Sequence, residues 1–140
     1  MTIHEELRNF MYEFFAAISP KLLTSPDDMP AVMSHYLLPH ILIDGSTVMT
    51  MQTEKDVAEK LIGGMTANAE AGWASTRTDH TETFVMNSAL ALMSRSFSRL
   101  REDGSVLEKG GCLYTLIKVD GHWKVSVAVY HGAEDRLVGE

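Results

Sequence analysis

Two Asp-Gly pairs, Asp103-Gly104 and Asp120-Gly121, constrain this chain more than any other feature. Each sits between long runs rich in β-branched and aromatic residues, and Asp-Gly is a preferred pair for the tight turn joining two antiparallel strands. With Asn87-Ser88 as a third turn, they divide the second half into four strands. These run over about Trp73–Met86, Ala89–Arg101, Val106–Val119 and His122–His131. Loops this short join only antiparallel neighbours.

Two-residue turns also fix which residues face each other. About Asp120-Gly121, Lys118 meets Trp123, Leu116 meets Val125, Tyr114 meets Val127 and Cys112 meets Val129. About Asp103-Gly104, Phe97 meets Gly110, Arg95 meets Cys112 and Met93 meets Tyr114. Side chains alternate along a strand, so Trp123, Val125, Val127, Val129, Leu116, Tyr114, Cys112, Met93, Ala91 and Phe97 share one face. That face should pack under helices. Arg95 and Tyr114 bring polar atoms to it, with His131 at its end. If Asn87-Ser88 is also a two-residue turn, His80 meets Arg95 and Glu82 meets Met93. His80, Glu82, Arg95, Tyr114 and His131 then surround one pocket. A one-residue slip would put Asp79 and Thr81 there instead. A buried arginine needs an acid or a ligand oxygen, so Glu82 or Asp44 is its expected protein partner. The opposite face carries Leu90, Leu92, Leu113 and Ile117 among small hydroxyl residues, an apolar patch suited to a homodimer.

The first half reads as helices. Thr2 and Glu5 form a capping box ahead of Ile3, Leu7, Phe10, Met11, Phe14 and Ile18, which recur at helical spacing. Ser25-Pro26-Asp27-Asp28 signals a second helix whose buried stripe is Met29, Val32, Met33, Tyr36 and Leu37, closed by Pro39. His40–Asp44 is a short strand stopping at Asp44-Gly45, and Thr47–Met51 is another. Thr53 caps a third helix that contains Gly63-Gly64 at a cost of about 1 kcal/mol each, which close packing against a neighbour would offset.

The whole is one α+β domain of 140 residues with three helices on a curved, mainly antiparallel sheet. Its net charge of −7 and lack of Lys/Arg clusters exclude nucleic acid and anionic membrane as partners. A lone cysteine, Cys112, excludes an internal disulfide and CxxC chemistry. The charged N-terminus is unlike a signal peptide and no apolar run matches a membrane span, so the cytoplasm is the expected compartment. No metal spacing occurs, although His35 and His40 flank Pro39 closely. The nine methionines give an adaptable apolar lining and call for no cofactor.

This order of helices and strands, ending in Asp120-Gly121-His122-Trp123-Lys124-Val125 after the Arg101-Glu102-Asp103-Gly104-Ser105 turn, resembles the nuclear transport factor 2-like superfamily over nearly the whole chain. Within it the sequence looks like the SnoaL-like and ketosteroid-isomerase-like branch. The resemblance implies a cystatin-like cone open at one end to a small molecule, and homodimers formed through the sheet. In ketosteroid isomerase a carboxylate shuttles a proton while a tyrosine and a protonated acid stabilise the oxyanion. Asp44 falls near the place of that base. Phe14 or Phe15 stands where the tyrosine would be, and Cys112 or Tyr114 where the acid would be. Two of three positions depart, which argues against a steroid isomerase.

The leading expectation is therefore a cofactor-independent acid–base enzyme acting on a small hydrophobic or carbonyl-containing metabolite. Asp44, His80 and Glu82 are its candidate catalytic residues, and Phe14, Tyr36, Arg95, Tyr114 and His131 its candidate ligand contacts. A ligand-binding domain without turnover, or a dimerisation module, are the alternatives.

Overall fold

A computed structural model describes residues 1–132. In chain order the elements are α1 (Ile3–Ala17), two single turns of 3-10 helix (Pro20–Leu23 and Pro26–Asp28), α2 (Met29–Met33), β1 (Tyr36–Asp44) and β2 (Thr47–Met51). There follow α3 (Glu54–Glu70), β3 (Ser75–Asn87), β4 (Leu90–Leu100), β5 (Val106–Val119) and β6 (His122–His131). One six-stranded curved sheet has the order β2-β1-β6-β5-β4-β3. All neighbours are antiparallel except β1 and β6, which run parallel and have four strands and α3 between them in sequence. Among the described residues no helix is long and apolar enough to cross a membrane.

The caps form as expected. Thr2 Oγ1 accepts from the Glu5 backbone at 3.2 Å while Glu5 accepts from the Thr2 backbone at 2.7 Å. Thr53 Oγ1 accepts from the Asp56 backbone at 3.1 Å. Helix α1 lays Leu7, Phe10 and Phe14 onto the sheet, and all three are buried. A polar clamp fixes its angle: Glu6 accepts from Lys118 Nζ at 2.9 Å and from Trp123 Nε1 at 3.0 Å, and these two bonds hold its carboxyl below the usual carboxylate range.

Helix α2 is shorter than its apolar spacing suggests. It ends at Met33, and Tyr36 and Leu37 belong to β1. Residues preceding a proline avoid the α region, and here Tyr36 pairs with Val125 while the His35 carbonyl accepts from the Val125 N–H at 2.7 Å. Gly63 and Gly64 meet open space and not a packed neighbour.

Apart from an irregularity at Arg99/Leu100, where Leu100 meets Val106 beside the Asp103-Gly104 turn, the hairpins hold the expected register with two exceptions. Lys118↔Trp123, Leu116↔Val125, Phe97↔Gly110, Arg95↔Cys112 and Met93↔Tyr114 all pair. Trp123, Val125, Leu116 and Phe97 are buried on the helix-covered face. A bulge between Thr115 and Leu116 then shifts β6, so Tyr114 meets Ala128 and Cys112 meets Tyr130. This turns Val127 and Val129 outward and Ala128 and Tyr130 inward. The second exception is the β3–β4 hairpin. Asn87 Oδ1 accepts from the Ala89 N–H at 2.8 Å, Asn87 pairs with Leu90, and an irregularity follows at Val85/Asn87. The resulting one-residue offset sets Thr81 opposite Arg95 and Thr83 opposite Met93.

Candidate functional site

Helices α1 and α3 and the inner face of the sheet enclose a cavity of about 490 Å³. Its deep wall is aromatic. Phe14 is 2% exposed and sits edge-on to Tyr36 and Tyr114, with ring centroids 5.6 and 5.7 Å away. Tyr36 in turn meets His40 edge-on at 4.9 Å. Gly64 of α3 lines the same cavity and leaves it free of a side chain there. Toward the open side stand Asp44, Lys60, Lys109, Tyr130 and the ion pair of Arg99 with Glu108.

Arg95 anchors one wall. It is 9% exposed, its guanidinium lies 3.7 Å above the Phe15 ring centre, and Phe97 flanks it at 5.2 Å. Nε donates to Thr78 Oγ1 at 3.0 Å. Among the described residues no Asp or Glu forms an ion pair with it. The expected acid, Glu82, lies elsewhere: the offset in the β3–β4 hairpin puts His80 and Glu82 on the outer face, exposed and bonded to each other at 3.0 Å. They are not part of the cavity. Asp44 lines its rim without pairing to Arg95. Phe14, Tyr36, Tyr114, Arg95 and His131 are among the residues that line it. His131 rests over Gly111, where a β-carbon would collide with the imidazole.

Of the lining residues that escaped the sequence reading, Tyr130 and His40 bear most on the chemistry. Tyr130 turns inward only because of the β6 bulge. His40 was readable in principle, since it has the same strand parity as Asp44, two pleats away. It is 3% exposed, and its Nδ1 is buried without a hydrogen-bond partner. Burial pushes its pKa below the ordinary 6.5, only partly opposed by the nearby backbone of Ser126 and Val125. Burial also pushes the phenols of Tyr36 and Tyr114 well up, so both remain hydroxyl donors throughout the neutral range. The Cys112 thiol is pushed up to about 12 by burial and is no nucleophile at neutral pH. Among the described residues no three His, Cys, Asp or Glu side chains converge to hold a metal ion.

His40 makes stability depend on pH. The unfolded chain takes up a proton near pH 6.5 that the folded chain refuses until lower pH, so stability is full above about pH 6.5 and falls below it. Urea midpoints at pH 7.5 and 5.5 should therefore differ for the parent and differ measurably less for His40→Gln. Equal slopes for the two proteins would mean that His40 does not carry the effect.

A family model described as NTF2-like protein (DUF6841) matches residues 3–133. The chain belongs to this NTF2-like family. No curated protein matches it. Solved structures of the same fold include an NTF2-like protein with a cystatin-like fold from Novosphingobium aromaticivorans, 15% identical, with a TM-score of 0.68 over 96% of this chain and 84% of that one. A cystatin-like protein of unknown function from Nostoc punctiforme is 12% identical, with a TM-score of 0.65 over 93% and 92%. A candidate scytalone dehydratase from Novosphingobium aromaticivorans is 10% identical, with a TM-score of 0.64 over 91% and 82%. At these identities the NTF2-like neighbours establish the fold, and function has to be argued from the cavity.

Proposed function

We propose that this NTF2-like protein binds a small molecule with an apolar body and at least one carbonyl, phenol or carboxylate oxygen, and moves a proton on it without an organic cofactor. The observation that carries this reading is Arg95: a guanidinium set against the Phe15 and Phe97 rings in the cavity wall, with no carboxylate ion-paired to it among the described residues. Its charge cannot be titrated away, so a ligand oxygen is the natural counterpart. Tyr36 and Tyr114 are placed to donate to a developing oxyanion. His40, kept neutral by burial, is the candidate base and Asp44 at the rim the second. This is chemistry of the isomerase, cyclase or dehydratase type, in keeping with the SnoaL-like and ketosteroid-isomerase-like resemblance. The solved neighbour named as a candidate dehydratase lends it support.

The outer face supports a homodimer. Leu90, Leu92, Leu113 and Ile117 are joined there by Val127 and Val129, and Phe84 is 45% exposed beside Leu92. A contiguous apolar face of this kind is unusual on a monomer.

One experiment addresses both. Native mass spectrometry of the purified protein should show a dimer carrying a co-purified small molecule. Incubation in deuterated water should then place deuterium on carbon in that molecule, and His40→Gln should retain it without exchange. A bound molecule that never exchanges in the parent would reduce the protein to a binding domain, and a bare monomer would remove both readings.

A further inference from the structure

The wall that carries Arg95 has a second side. Between α1 and the edge strand β3 lies an open basin of about 340 Å³, lined in part by Arg8, Tyr12, Thr78, Thr81 and Arg95. It shares Phe15, Thr76 and Arg95 with the main cavity, so the Arg95–Phe15 stack is the partition between the two.

The sequence builds this basin with uncommon chemistry. On α1, Arg8, Tyr12 and Phe15 follow one another at four and three residues and form one stripe. On β3 the inward positions are Thr76, Thr78, Thr81 and Thr83, kept on one face by the irregularity between Thr78 and His80. Inner faces of sheets normally carry apolar residues, and here they carry hydroxyls. Two guanidiniums and no carboxylate line the basin, in a chain whose net charge is −7. Asp79, next to Thr78, is bonded to Ser98 and Arg77 at 2.6 and 2.7 Å, and Glu82, next to Thr81, is bonded to His80 at 3.0 Å. Glu5 is bonded to Thr2, and its carboxylate also feels the charge of Arg8 from outside the basin lining. Among the described residues Arg95 hydrogen-bonds only through Nε, to Thr78, and the N–H groups of its η nitrogens are the donors the basin offers a ligand.

We propose that this basin is a binding site for a tetrahedral oxyanion, phosphate or sulfate, either free or as an ester on a small molecule. Arg95 supplies a fixed fork of donors that matches such a group. Arg8 adds charge from the solvent side, and the Thr78 and Thr81 hydroxyls add hydrogen bonds. A single carboxylate would leave much of this donor set idle. The proposal shares Arg95 with the acid–base reading above but is tested apart from it, because Arg8 lines only the basin and His40 lines only the main cavity.

The test is calorimetric titration of the full chain with inorganic phosphate, sulfate and phenyl phosphate at constant ionic strength. Saturable binding of one anion per chain is expected. Arg8→Ala should weaken it about tenfold or more, as loss of a charge-assisted contact does. Arg8→Lys should restore part of the loss, and Lys21→Ala, away from the basin, should change nothing. Phenyl phosphate binding at least as tightly as inorganic phosphate assigns an ester, and tighter inorganic binding assigns the free ion. Either supports the site. Absence of saturable binding at tens of millimolar, or equal weakening by Arg8→Ala and Lys21→Ala, would overturn it. So would binding that is lost in His40→Gln yet kept in Arg8→Ala, since that places the anion in the main cavity. If His40→Gln leaves deuterium exchange untouched while Arg8→Ala still abolishes anion binding, the acid–base reading falls and the basin stands.

Discussion

Phe14→Ala should cost about 3–5 kcal/mol of stability, the range for removing a buried aromatic side chain. Phe14 is 2% exposed and is the ring on which the aromatic wall converges. Phe10 stacks on it at 5.6 Å, Phe15 and His35 lie at 5.5 and 5.7 Å, and Tyr36 and Tyr114 meet it edge-on. Few neighbours can collapse into the gap, because one side of the ring already borders a cavity. The cost should therefore lie in the upper part of that range. Urea unfolding monitored by tryptophan fluorescence would read it as a lower midpoint with an unchanged slope. Phe14→Leu, which keeps most of the volume, should recover more than half. A loss below about 1 kcal/mol for Phe14→Ala, the level of an ordinary surface change, would mean that α1 does not clamp the sheet in this way.

Arg95→Met should do the opposite: leave the fold nearly intact and cost the ligand. No carboxylate pairs with Arg95 among the described residues, so its removal orphans no acid. What disappears is the bond to Thr78, which is exposed and can turn to water, and the stack on Phe15. That stack contributes about 0.5–2 kcal/mol, offset by the relief of burying a charge. Methionine keeps the apolar stem and can cover Phe15. Stability should thus change by less than about 1.5 kcal/mol. Affinity for an oxygen-bearing ligand should fall by about 1.5–3 kcal/mol, the value of a hydrogen bond to a charged group. Thermal melts alongside titration with the co-purified molecule would separate the two effects. A large drop in melting temperature with affinity preserved would make Arg95 structural.

Most of the fold was legible because turns and caps are local. Asp120-Gly121 and Asp103-Gly104 set the pairing of β4, β5 and β6 from within a few residues, and Thr2, Glu5 and Thr53 announced α1 and α3. The parts that were not legible depend on partners distant in sequence. Tyr36 lies on a helical stripe when read alone, yet a strand beginning nearly ninety residues later claims its backbone. The β3–β4 hairpin lacks an Asp-Gly pair. At its tip Asn87 accepts a bond from the Ala89 N–H beside an irregularity at Val85/Asn87, and the one-residue offset there is what sets His80 and Glu82 outside the cavity and Thr81 opposite Arg95. Arg95 and Tyr114 were correctly placed because their strands flank the strong turn. His40 needed no long-range fact, only the alternation of β1 read backward from Asp44.

The bulge opposite Leu116 joins two surfaces that would otherwise be free to diverge. Residues beyond it reverse parity, so the same extra residue delivers Tyr130 to the ligand cavity and Val127 and Val129 to the outer face. Flattening the bulge at unchanged strand length would bring Ser126 opposite Thr115 and send a tyrosine to the outside and valines to the cavity in a single event, whereas deleting Ser126 would keep every face as it is. The inner chamber and the outer contact surface are therefore one heritable unit along β6. A change that flattens the bulge would remodel the cavity lining and the proposed dimer face together.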